Sequence, residues 1–367
     1  MIFSGGYTAG HILPGLAVIA WLRTRRPEID CAFFGSSNGW ERKLVEAAGV
    51  PFHGLPAVPW AGQPWRTRGL ALVRLMPAVF AARRKMRALG AVGCVGLGSC
   101  ATVAPALAMR SLGCPVTLYE PNATMGLATR LLRPMAARVL ASRLLDRSAG
   151  VAGATIEVGV PLAADRLALA AQSPEAPGRE PGSEVRLLVL GGSLGNSFLN
   201  RAMPGLARRL RVAHPGLRVV HQCGHAVAPG PLAADYAAAG VPAEVVPYFD
   251  LLGPRLRTAQ LVVTAAGAIS LHEVAAAGVP ALVVPLEEGA GAHQLANASA
   301  FSRITGGRHV RPGAWHEAEI AAALSGLMAD PARWREARAG LGALVNARAD
   351  ELFGTAIAPA GEVGGRR

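Results

Sequence analysis

Residues 185–195 read VRLLVLGGSLG, and this apolar run ending in a glycine-rich turn decides the fold. Residues 185–190 predict a buried strand, because a parallel strand covered on both faces is apolar along most of its length. Residues 191–195 then open a helical pattern. The same order occurs at the start of the chain, where the short strand 1–4 runs into Gly5-Gly6 and a helix. The repeat indicates two α/β halves.

Short apolar runs alternate with helical patterns through both halves. In the first half we predict strands at 31–34, 92–95 and 116–119 and helices at 12–23, 40–48 and 104–112. In the second half the predicted strands are 217–220, 243–246, 261–264 and 281–284, each with helical sequence after it. This alternation predicts parallel βαβ units, whose ligands bind at the carboxyl ends of the strands.

A break separates the halves. Residues 171–184 hold three prolines and no aliphatic side chain larger than alanine, which is typical of a linker or surface loop. We expect four regions, namely an N-terminal domain over 1–160, a linker region over 161–184, a C-terminal domain over 185–350 and a tail over 351–367 that frays from Thr355. The first predicted strand has only four residues, although the first strand of such a sheet is normally central. We therefore expect the natural start of the protein to lie upstream of Met1.

Composition excludes several classes of protein. Of 367 residues, 51% are hydrophobic and only 17% charged, which argues against disorder. No apolar run approaches the roughly 20 residues of a membrane span, and no signal-peptide pattern is visible, so the expected compartment is the cytoplasm. The five cysteines are odd in number and include no C-x-x-C pair, which indicates neither a disulfide framework nor a zinc site.

Positive charge is concentrated in the first half. Residues 1–160 carry 18 Lys/Arg against 7 Asp/Glu, a balance of +11, whereas the remainder carries 19 against 17, a balance of +2. This favours an anionic partner, either membrane lipid, a phosphate-bearing substrate or nucleic acid. The alternative explanation is frequent arginine use in a high-GC genome, but that would raise the number of arginines in both halves and would not favour one of them. Nucleic acid is not expected, because no aromatic-rich basic strand or recognition-helix motif is present.

One amphipathic segment suggests where a membrane would bind. Within residues 65–89, five apolar residues recur at helical spacing among seven basic ones, and Pro77 is expected to kink or split the helix. The apolar residues are Leu72, Leu75, Met76, Val79 and Phe80. An apolar face ringed by cations suits docking on anionic lipid. The alternative is that this helix packs on the sheet of its own domain. Both interpretations can be correct if the helix uses one face for the sheet and another for the membrane.

Four motifs carry groups suited to a nucleotide sugar. Residues 5–11 (GGYTAGH) and 191–195 place glycine turns before helices, whose N-termini suit phosphate, and His11 adds an imidazole or merely caps its turn. Residues 267–273 (GAISLHE) include Glu273, a carboxylate for ribose hydroxyls or a solvated helix glutamate. Residues 293–298 (HQLANA) offer groups suited to sugar hydroxyls.

Together and in this order, these motifs resemble those of the MurG family of N-acetylglucosaminyltransferases. Residues 14–17, 96–98, 119–122 and 221–224 extend the resemblance over nearly the whole chain. The family makes lipid II from lipid I on the cytoplasmic face of the bacterial plasma membrane, as peripheral proteins of peptidoglycan synthesis. The resemblance implies the GT-B fold, with two Rossmann-like parallel-sheet domains facing each other across a cleft.

The resemblance also implies roles for residues of the first half. His11 would be the general base or at least an acceptor-site residue. Thr8, Ala9 and Gly10 would face the diphosphate and the sugar, and Asn122 would donate or accept a hydrogen bond in the acceptor-side pocket.

In the second half the implied roles concern the donor, UDP-GlcNAc. Ser193 would contact the diphosphate, and Phe249 would pack near the uracil while its backbone reads the base edge. Gln294 would read the GlcNAc hydroxyls, and Glu273 would take the ribose hydroxyls. The nucleotide-binding segment would comprise Ala268, Ile269, Ser270, Leu271, His272 and Glu273.

The implied reaction is an inverting transfer in which the muramoyl C4 hydroxyl of lipid I displaces UDP. It requires no cofactor, and the sequence offers no Asp-x-Asp pair as a metal clamp.

The chain departs from the family pattern at several positions. Glycine is usual where Tyr7 and Ala9 stand, the usual Gly-Gly-Tyr reads Gly98-Ser99-Cys100, Leu194 replaces glutamine, and Ala265-Ala266 replace Arg-Ser. Two alternatives therefore stay open, namely another GT-B nucleotide-sugar transferase, or a degenerate, non-catalytic MurG-like paralogue.

Overall fold

A computed structural model of the chain describes residues 1–37, 39, 41–56, 65–146, 155–162, 176, 184–249, 251–286 and 292–357, with the side chains of 65–74 and 292 excepted. The chain divides into two compact units. Unit 1 comprises Met1–Ala163 and Asn346–Arg367, and unit 2 comprises Ala164–Val345. Most of the predicted linker over 161–184 lies outside the described residues.

Unit 1 is built on a parallel sheet of seven strands: β1 Ile2–Ser4, β2 Ala32–Ser36, β3 Phe52–Leu55, β4 Cys94–Gly96, β5 Val116–Glu120, β6 Arg138–Ala141 and β7 Thr155–Glu157. Their order in the sheet is β3-β2-β1-β4-β5-β6-β7. The helices are α1 Leu13–Arg25, α2 Glu41–Ala47, α3 Trp65–Ala88, α4 Val103–Ser111, α5 Leu127–Leu132 and α13 Ala349–Ile357. Although β1 has three residues, it lies between β2 and β4, so the expected central position of the first strand is confirmed.

The sheet of unit 1 is covered on both faces because successive side chains of a strand point to opposite sides. Ile2 packs with residues of α3 and α4, including Ala82 and Ala106. Its neighbour Phe3 packs on the other face with residues of α1, including Val18.

Helix α13 belongs to unit 1. Phe353 is fully buried, with its ring centroid 5.0 Å from that of Tyr119, and Arg138 Nη1 donates to the carbonyl of Ala356 at 2.5 Å. These contacts keep the helix intact as far as Ile357. The prediction that the chain frays from Thr355 is therefore wrong for residues 355–357, and residues 358–367 lie outside the description.

Unit 2 repeats the plan with six parallel strands: β8 Val185–Leu190, β9 Leu217–Gln222, β10 Ala243–Val246, β11 Leu261–Thr264, β12 Ala281–Val283 and β13 Arg308–His309. Their order in the sheet is β10-β9-β8-β11-β12-β13. The helices are α6 Ser197–Ala213, α7 Pro229–Ala238, α8 Gly253–Thr258, α9 Ala268–Ala277, α10 Ala292–Thr305, α11 Glu317–Ala329 and α12 Pro331–Leu341. Along β8, Leu187 and Leu188 pack into opposite core clusters, as two covered faces require.

Helix α3 continues through Pro77, so of the two expected effects of this proline, a kink or a split, the split is not observed. In the described part of the chain, no helix is long and apolar enough to cross a membrane.

Candidate functional site

The loop that follows β1 carries His11. A 3-10 turn spans Ala9–His11, and α1 starts at Leu13 directly behind it. The hydroxyl of Thr8 lies 2.9 Å from Nδ1 of His11, so a hydrogen bond fixes the orientation of the imidazole. Thr8, Ala9, Gly10 and His11 are all partly exposed and therefore accessible to a ligand.

The loop that follows the neighbouring strand β4 packs against this imidazole. Gly98 has φ +98°, and a Cβ built there would lie 2.8 Å from Cδ2 and 3.1 Å from Nε2 of His11. Only glycine leaves room for the ring in this position. Sequence reasoning did not list Gly98 as a site residue, although the glycine run after a central strand was a usable signal.

Two residues of these loops have strained backbones. Among the described non-glycine residues, only Tyr7 (φ +68°) and Ser99 (φ +68°, ψ 168°) have positive φ. Such conformations cost roughly 1–3 kcal/mol each and persist where the surroundings determine them. Both lie where the family resemblance leads us to expect glycine.

The Tyr7 hydroxyl lies in a partly buried environment. Burial is the main cause that raises the pKa of Tyr7 well above its usual value, and the neighbouring Cys100 thiol adds to the rise. The fully buried Glu41 accepts a hydrogen bond from the backbone N–H of Ser36 at 2.8 Å. Glu41 is a second residue that sequence reasoning missed.

Asn122 is oriented by a buried carboxylate. Its Nδ2 and backbone N–H donate to Oε1 of Glu120 at 2.8 and 3.2 Å, and the N–H of Gly126 donates to Oε2 at 2.8 Å. Glu120 therefore holds the loop after β5 in one conformation, with Asn122 partly exposed. Glu120 lay within a quoted motif, but its role depends on contacts that spacing alone does not indicate.

In unit 2 the loops after β8 and β9 meet backbone to backbone. A Cβ on Gly195 would overlap the carbonyl of Cys223, and His225 N–H donates to the carbonyl of Ser193 at 3.1 Å. Asn196 caps α6 by accepting from Leu199 N–H at 3.1 Å. Ser193 is thus held, partly exposed, at the N-terminus of a long helix, a position that suits an anion.

Phe249 follows β10 and is mostly buried. Its N–H donates to Oε1 of Gln222 at 3.1 Å, so this donor is used within the unit rather than by a ligand. The guanidinium of Arg255 lies 5.6 Å from the ring centroid of Phe249 and is held by a two-point ion pair with Glu244 at 2.6 and 2.8 Å.

Helix α9 carries the predicted nucleotide segment. It starts after Gly267 and ends at Gly278, whose φ of +66° is the usual left-handed C-cap. Ser270 is partly exposed, whereas the other segment residues are buried: Ala268, Ile269, Leu271, His272 and Glu273. At 6% exposure, Glu273 is not a solvated helix glutamate.

The buried His272 has a local structural contact. Its Nδ1 lies 2.8 Å from the carbonyl of Ala268, one helical turn earlier.

Gln294 organises the loops after β11 and β12. Its Oε1 accepts from the N–H groups of Ala266 and Leu286, both at 3.0 Å, and Asn297 Nδ2 donates to the carbonyl of Ala266 at 3.0 Å. The side-chain oxygen is therefore structural, and the amide nitrogen is the group suited to a sugar hydroxyl. Asn297, which was quoted only as part of a motif, is an organising residue as well.

Comparison with known protein families matches both halves of the chain to glycosyltransferase domains. Residues 1–141 match the Glycosyltransferase family 28 N-terminal domain, and residues 186–346 match the Glycosyltransferase family 28 C-terminal domain. A crystal structure of MurG from Acinetobacter baumannii superposes with a TM-score of 0.73 at 23% identity, covering 97% of this chain and 98% of that one. The GT-B fold is thereby confirmed.

Two relatives share the name UDP-N-acetylglucosamine--N-acetylmuramyl-(pentapeptide) pyrophosphoryl-undecaprenol N-acetylglucosamine transferase. The protein from Xylella fastidiosa (strain Temecula1) is 36% identical over 81% of this chain and 79% of its own length. The protein from Acidithiobacillus ferrooxidans (strain ATCC 53993) is 33% identical over 92% of both chains. The chain belongs to the MurG family of glycosyltransferases.

Proposed function

We propose that this protein transfers N-acetylglucosamine from UDP-GlcNAc to the muramoyl C4 hydroxyl of lipid I, which yields lipid II and UDP in peptidoglycan synthesis. The observation that carries the proposal is its 33–36% identity to transferases named for these substrates, over 79–92% of their lengths. The described residues add a partly exposed histidine, His11, in unit 1 and a helix N-terminus with Ser193 in unit 2.

His11 would activate the acceptor. When Nδ1–H donates to the Thr8 hydroxyl, Nε2 is the nitrogen that accepts a proton. The C4 oxygen then bonds to the anomeric carbon, the bond from that carbon to the diphosphate oxygen breaks, and the proton moves to Nε2. A histidine suits this task because its usual pKa lies near neutral pH.

The leaving group would be stabilised in unit 2. As the bond to the diphosphate breaks, negative charge grows on UDP, and oriented N–H groups at the start of α6 stabilise such charge without reorganising. Ser193 would supply a hydroxyl at the same place, and Gln294 would present its amide nitrogen to the sugar.

UDP release from UDP-GlcNAc, with and without a short-chain lipid I analogue, tests the proposal. We expect acceptor-dependent release, and we expect His11→Ala to abolish most of it while calorimetry finds unchanged UDP-GlcNAc affinity. His309→Ala is the matched control, because His309 Nδ1 makes a similar 2.8 Å hydrogen bond to Ser302 Oγ in unit 2. Full turnover in His11→Ala would remove His11 from the mechanism.

The other outcomes separate the alternatives. UDP-GlcNAc binding without release by the lipid I analogue, followed by release with another acceptor, would indicate a different GT-B transferase. Neither binding nor release would indicate a non-catalytic paralogue.

We further propose that unit 1 docks peripherally on the anionic cytoplasmic face of the plasma membrane. Met76 and Phe80, one turn apart on α3, are 53% and 64% exposed, and Leu127 and Leu131 are similarly placed on α5. Both helices contact α4, and exposed cations accompany them: Arg84, Lys85, Arg87 and Arg130. Apolar side chains beside cations suit an anionic lipid surface. The side chains of Arg66, Arg68, Leu72 and Arg74 lie outside the description.

Sedimentation with vesicles tests this docking. We expect wild-type protein to bind vesicles containing phosphatidylglycerol more tightly than neutral vesicles, and Met76→Ser/Phe80→Ser to bind weakly. Val212→Ser in unit 2 is the matched control, because Val212 is an apolar residue at 84% exposure. Equal binding by the double variant and the control would exclude this surface.

A further inference from the structure

A chain of hydrogen bonds crosses the interior of unit 2 from α7 to the loop after β9. The hydroxyl of Tyr236 lies 2.8 Å from Nδ1 of His221, whose Nε2 lies 3.1 Å from Oδ1 of Asn200. Nδ2 of Asn200 donates to the carbonyl of Cys223 at 3.1 Å. Tyr236 and His221 are fully buried, and Asn200 is partly exposed in the first turn of α6. These three side chains, the His221 network, therefore join α7, β9 and α6 through one imidazole.

The backbone carbonyl at the end of the His221 network determines which atom donates at each step. A carbonyl oxygen only accepts, so the amide nitrogen of Asn200 faces Cys223 and its Oδ1 faces the imidazole. Since Oδ1 also only accepts, Nε2 of His221 carries a hydrogen. Burial lowers the pKa of His221 to about 3, so the ring is neutral near pH 7 and its bare Nδ1 accepts the hydroxyl hydrogen of Tyr236. Every hydrogen bond thus points the same way, from Tyr236 towards Cys223.

The Cys223 carbonyl lies against the glycine loop that carries Ser193. A Cβ built on Gly195 would overlap this carbonyl oxygen, and a Cβ built on Gly224 would overlap the backbone of Gly195. The two backbones therefore touch with no side chain between them, and the N–H of His225 donates to the carbonyl of Ser193 at 3.1 Å. Whatever holds Cys223 in place also holds the loop that carries Ser193.

We propose that Asn200, His221 and Tyr236 are positioning residues for the nucleotide-sugar donor, because they hold the Cys223 carbonyl against the loop that carries Ser193. The proposal rests on the proposed function, in which Ser193 and the start of α6 bind the diphosphate of UDP-GlcNAc. The three side chains act through the backbones of two loops and are assigned no contact with substrate.

The affinity for UDP-GlcNAc, measured by calorimetry, provides the main test. Tyr236→Phe, Asn200→Ala and their double variant are compared with wild type, and KM for the lipid I analogue is measured for each. Tyr119→Phe is the matched control, because it removes the hydroxyl of an equally buried tyrosine that donates to the carbonyl of Gly159 at 2.9 Å in unit 1. Unfolding midpoints are recorded for every variant, so that loss of fold is separated from loss of positioning.

We expect Asn200→Ala to weaken UDP-GlcNAc binding about five- to tenfold, the range that loss of one hydrogen bond produces, with KM for the lipid I analogue unchanged. Tyr236→Phe should weaken binding less, about two- to threefold, because the bond from Asn200 to Cys223 remains. The double variant should bind no more weakly than Asn200→Ala, because the two substitutions interrupt one chain of hydrogen bonds. Tyr119→Phe should lower the unfolding midpoint as Tyr236→Phe does, with unchanged affinity.

The direction of the hydrogen bonds is tested by NMR on the His221 ring. Correlation spectra of the imidazole nitrogens should show a neutral ring with its hydrogen on Nε2 in wild-type protein. A hydrogen on Nδ1 instead would overturn the proposal, because the Asn200 oxygen would then face the Cys223 carbonyl and could not hold it.

Two binding results would equally overturn the proposal. They are unchanged UDP-GlcNAc affinity in Asn200→Ala and additive losses in the double variant. A loss of affinity in Tyr119→Phe equal to that in Tyr236→Phe would reduce the His221 network to a merely structural role. If Asn200→Ala fails to fold, the comparison of Tyr236→Phe with Tyr119→Phe decides.

Failure of the proposed function is distinguishable. If wild-type protein binds no UDP-GlcNAc, the backbone amide resonances of Ser193 and Gly195 are compared by NMR in wild type, Tyr236→Phe and Tyr119→Phe. Changed resonances in Tyr236→Phe alone would support the positioning role, and unchanged ones would refute it.

Discussion

Replacing Gly98 with alanine tests whether the placement of the His11 imidazole sets the rate. The added Cβ would lie 2.8 Å from Cδ2, whereas ordinary contact begins at 3.4 Å, so the ring must move by about 0.6 Å. A misplacement of about 1 Å can lower a rate about 100-fold. We therefore expect kcat to fall roughly 10- to 100-fold, with the KM for UDP-GlcNAc unchanged.

Gly113→Ala is the matched control for this experiment. Gly113 also has a positive φ, +76°, but a Cβ there would have no atom within 4 Å. Alanine is strained at both positions, so both variants should lose about 1 kcal/mol of unfolding free energy or somewhat more. UDP release is measured at saturating concentrations of both substrates. Equal kcat in the two variants would refute the contact between Gly98 and His11 as a determinant of rate.

Three further predictions concern unit 2. Burial lowers the pKa of His221 from 6.5 to about 3, so between these pH values the unfolded state binds a proton that the folded state does not. The unfolding free energy should then fall by about 1.4 kcal/mol per pH unit on acidification, and less steeply in His221→Gln, as urea titrations would show. Asp330→Ala should lower the unfolding free energy by about 1 kcal/mol in thermal melts, because Asp330 caps α12, with UDP release unchanged. Gln294→Ala should weaken UDP-GlcNAc binding at least tenfold by calorimetry while the acceptor KM stays constant, because two backbone N–H groups lose their acceptor.

Most interior strands could be predicted from sequence, and most edge strands could not. The predicted strands 185–190, 243–246 and 261–264 match β8, β10 and β11, of which β10 is an edge strand. Strands β3, β6, β7 and β13 were not predicted, and all of these except β6 lie at sheet edges. An edge strand has one unpaired side and is often short and polar, as Arg308–His309 illustrates, so its apolar signal is weak.

The assignment of the C-terminal helix α13 to unit 1 could not be predicted from the sequence either. Residues 349–357 form an ordinary short helix pattern, and nothing local assigns them to unit 1. Their place depends on the contact between Phe353 and Tyr119, which are far apart in sequence, and on the Arg138 bond to Ala356. The packing partner of an amphipathic helix is determined by tertiary contacts, which one sequence without an alignment does not indicate.

The sequence predicted the glycine-rich loops that follow β1 and β8, but not the residues that hold such loops in place. The glycine turns at 5–11 and 191–195 could be recognised because a tight turn before a helix requires glycine, and glycine is visible in the sequence. Glu41, Glu120 and Gly98 were missed because their contacts with Ser36, Asn122 and His11 depend on the folded backbone, which residue type and spacing do not indicate. The roles assigned to ligand-contacting side chains remain predictions.

The hydrogen bonds of the turn before α9, together with the start of α6, suggest how the proposed reaction could proceed without an arginine. The family pattern has an arginine before α9, where this chain has alanine. Ala266, in the turn between β11 and α9, is fully buried, with its N–H bonded to Gln294 and its carbonyl to Asn297. Neutral amide groups thus hold this turn in place. In the proposed reaction, the growing charge on UDP would meet the N–H groups of α6 rather than a guanidinium. Charge stabilisation would then come from fixed backbone dipoles, which need no reorganisation during transfer. The near-neutral charge balance of the second half of the chain agrees with this arrangement, because a site that relies on dipoles requires no excess of cations.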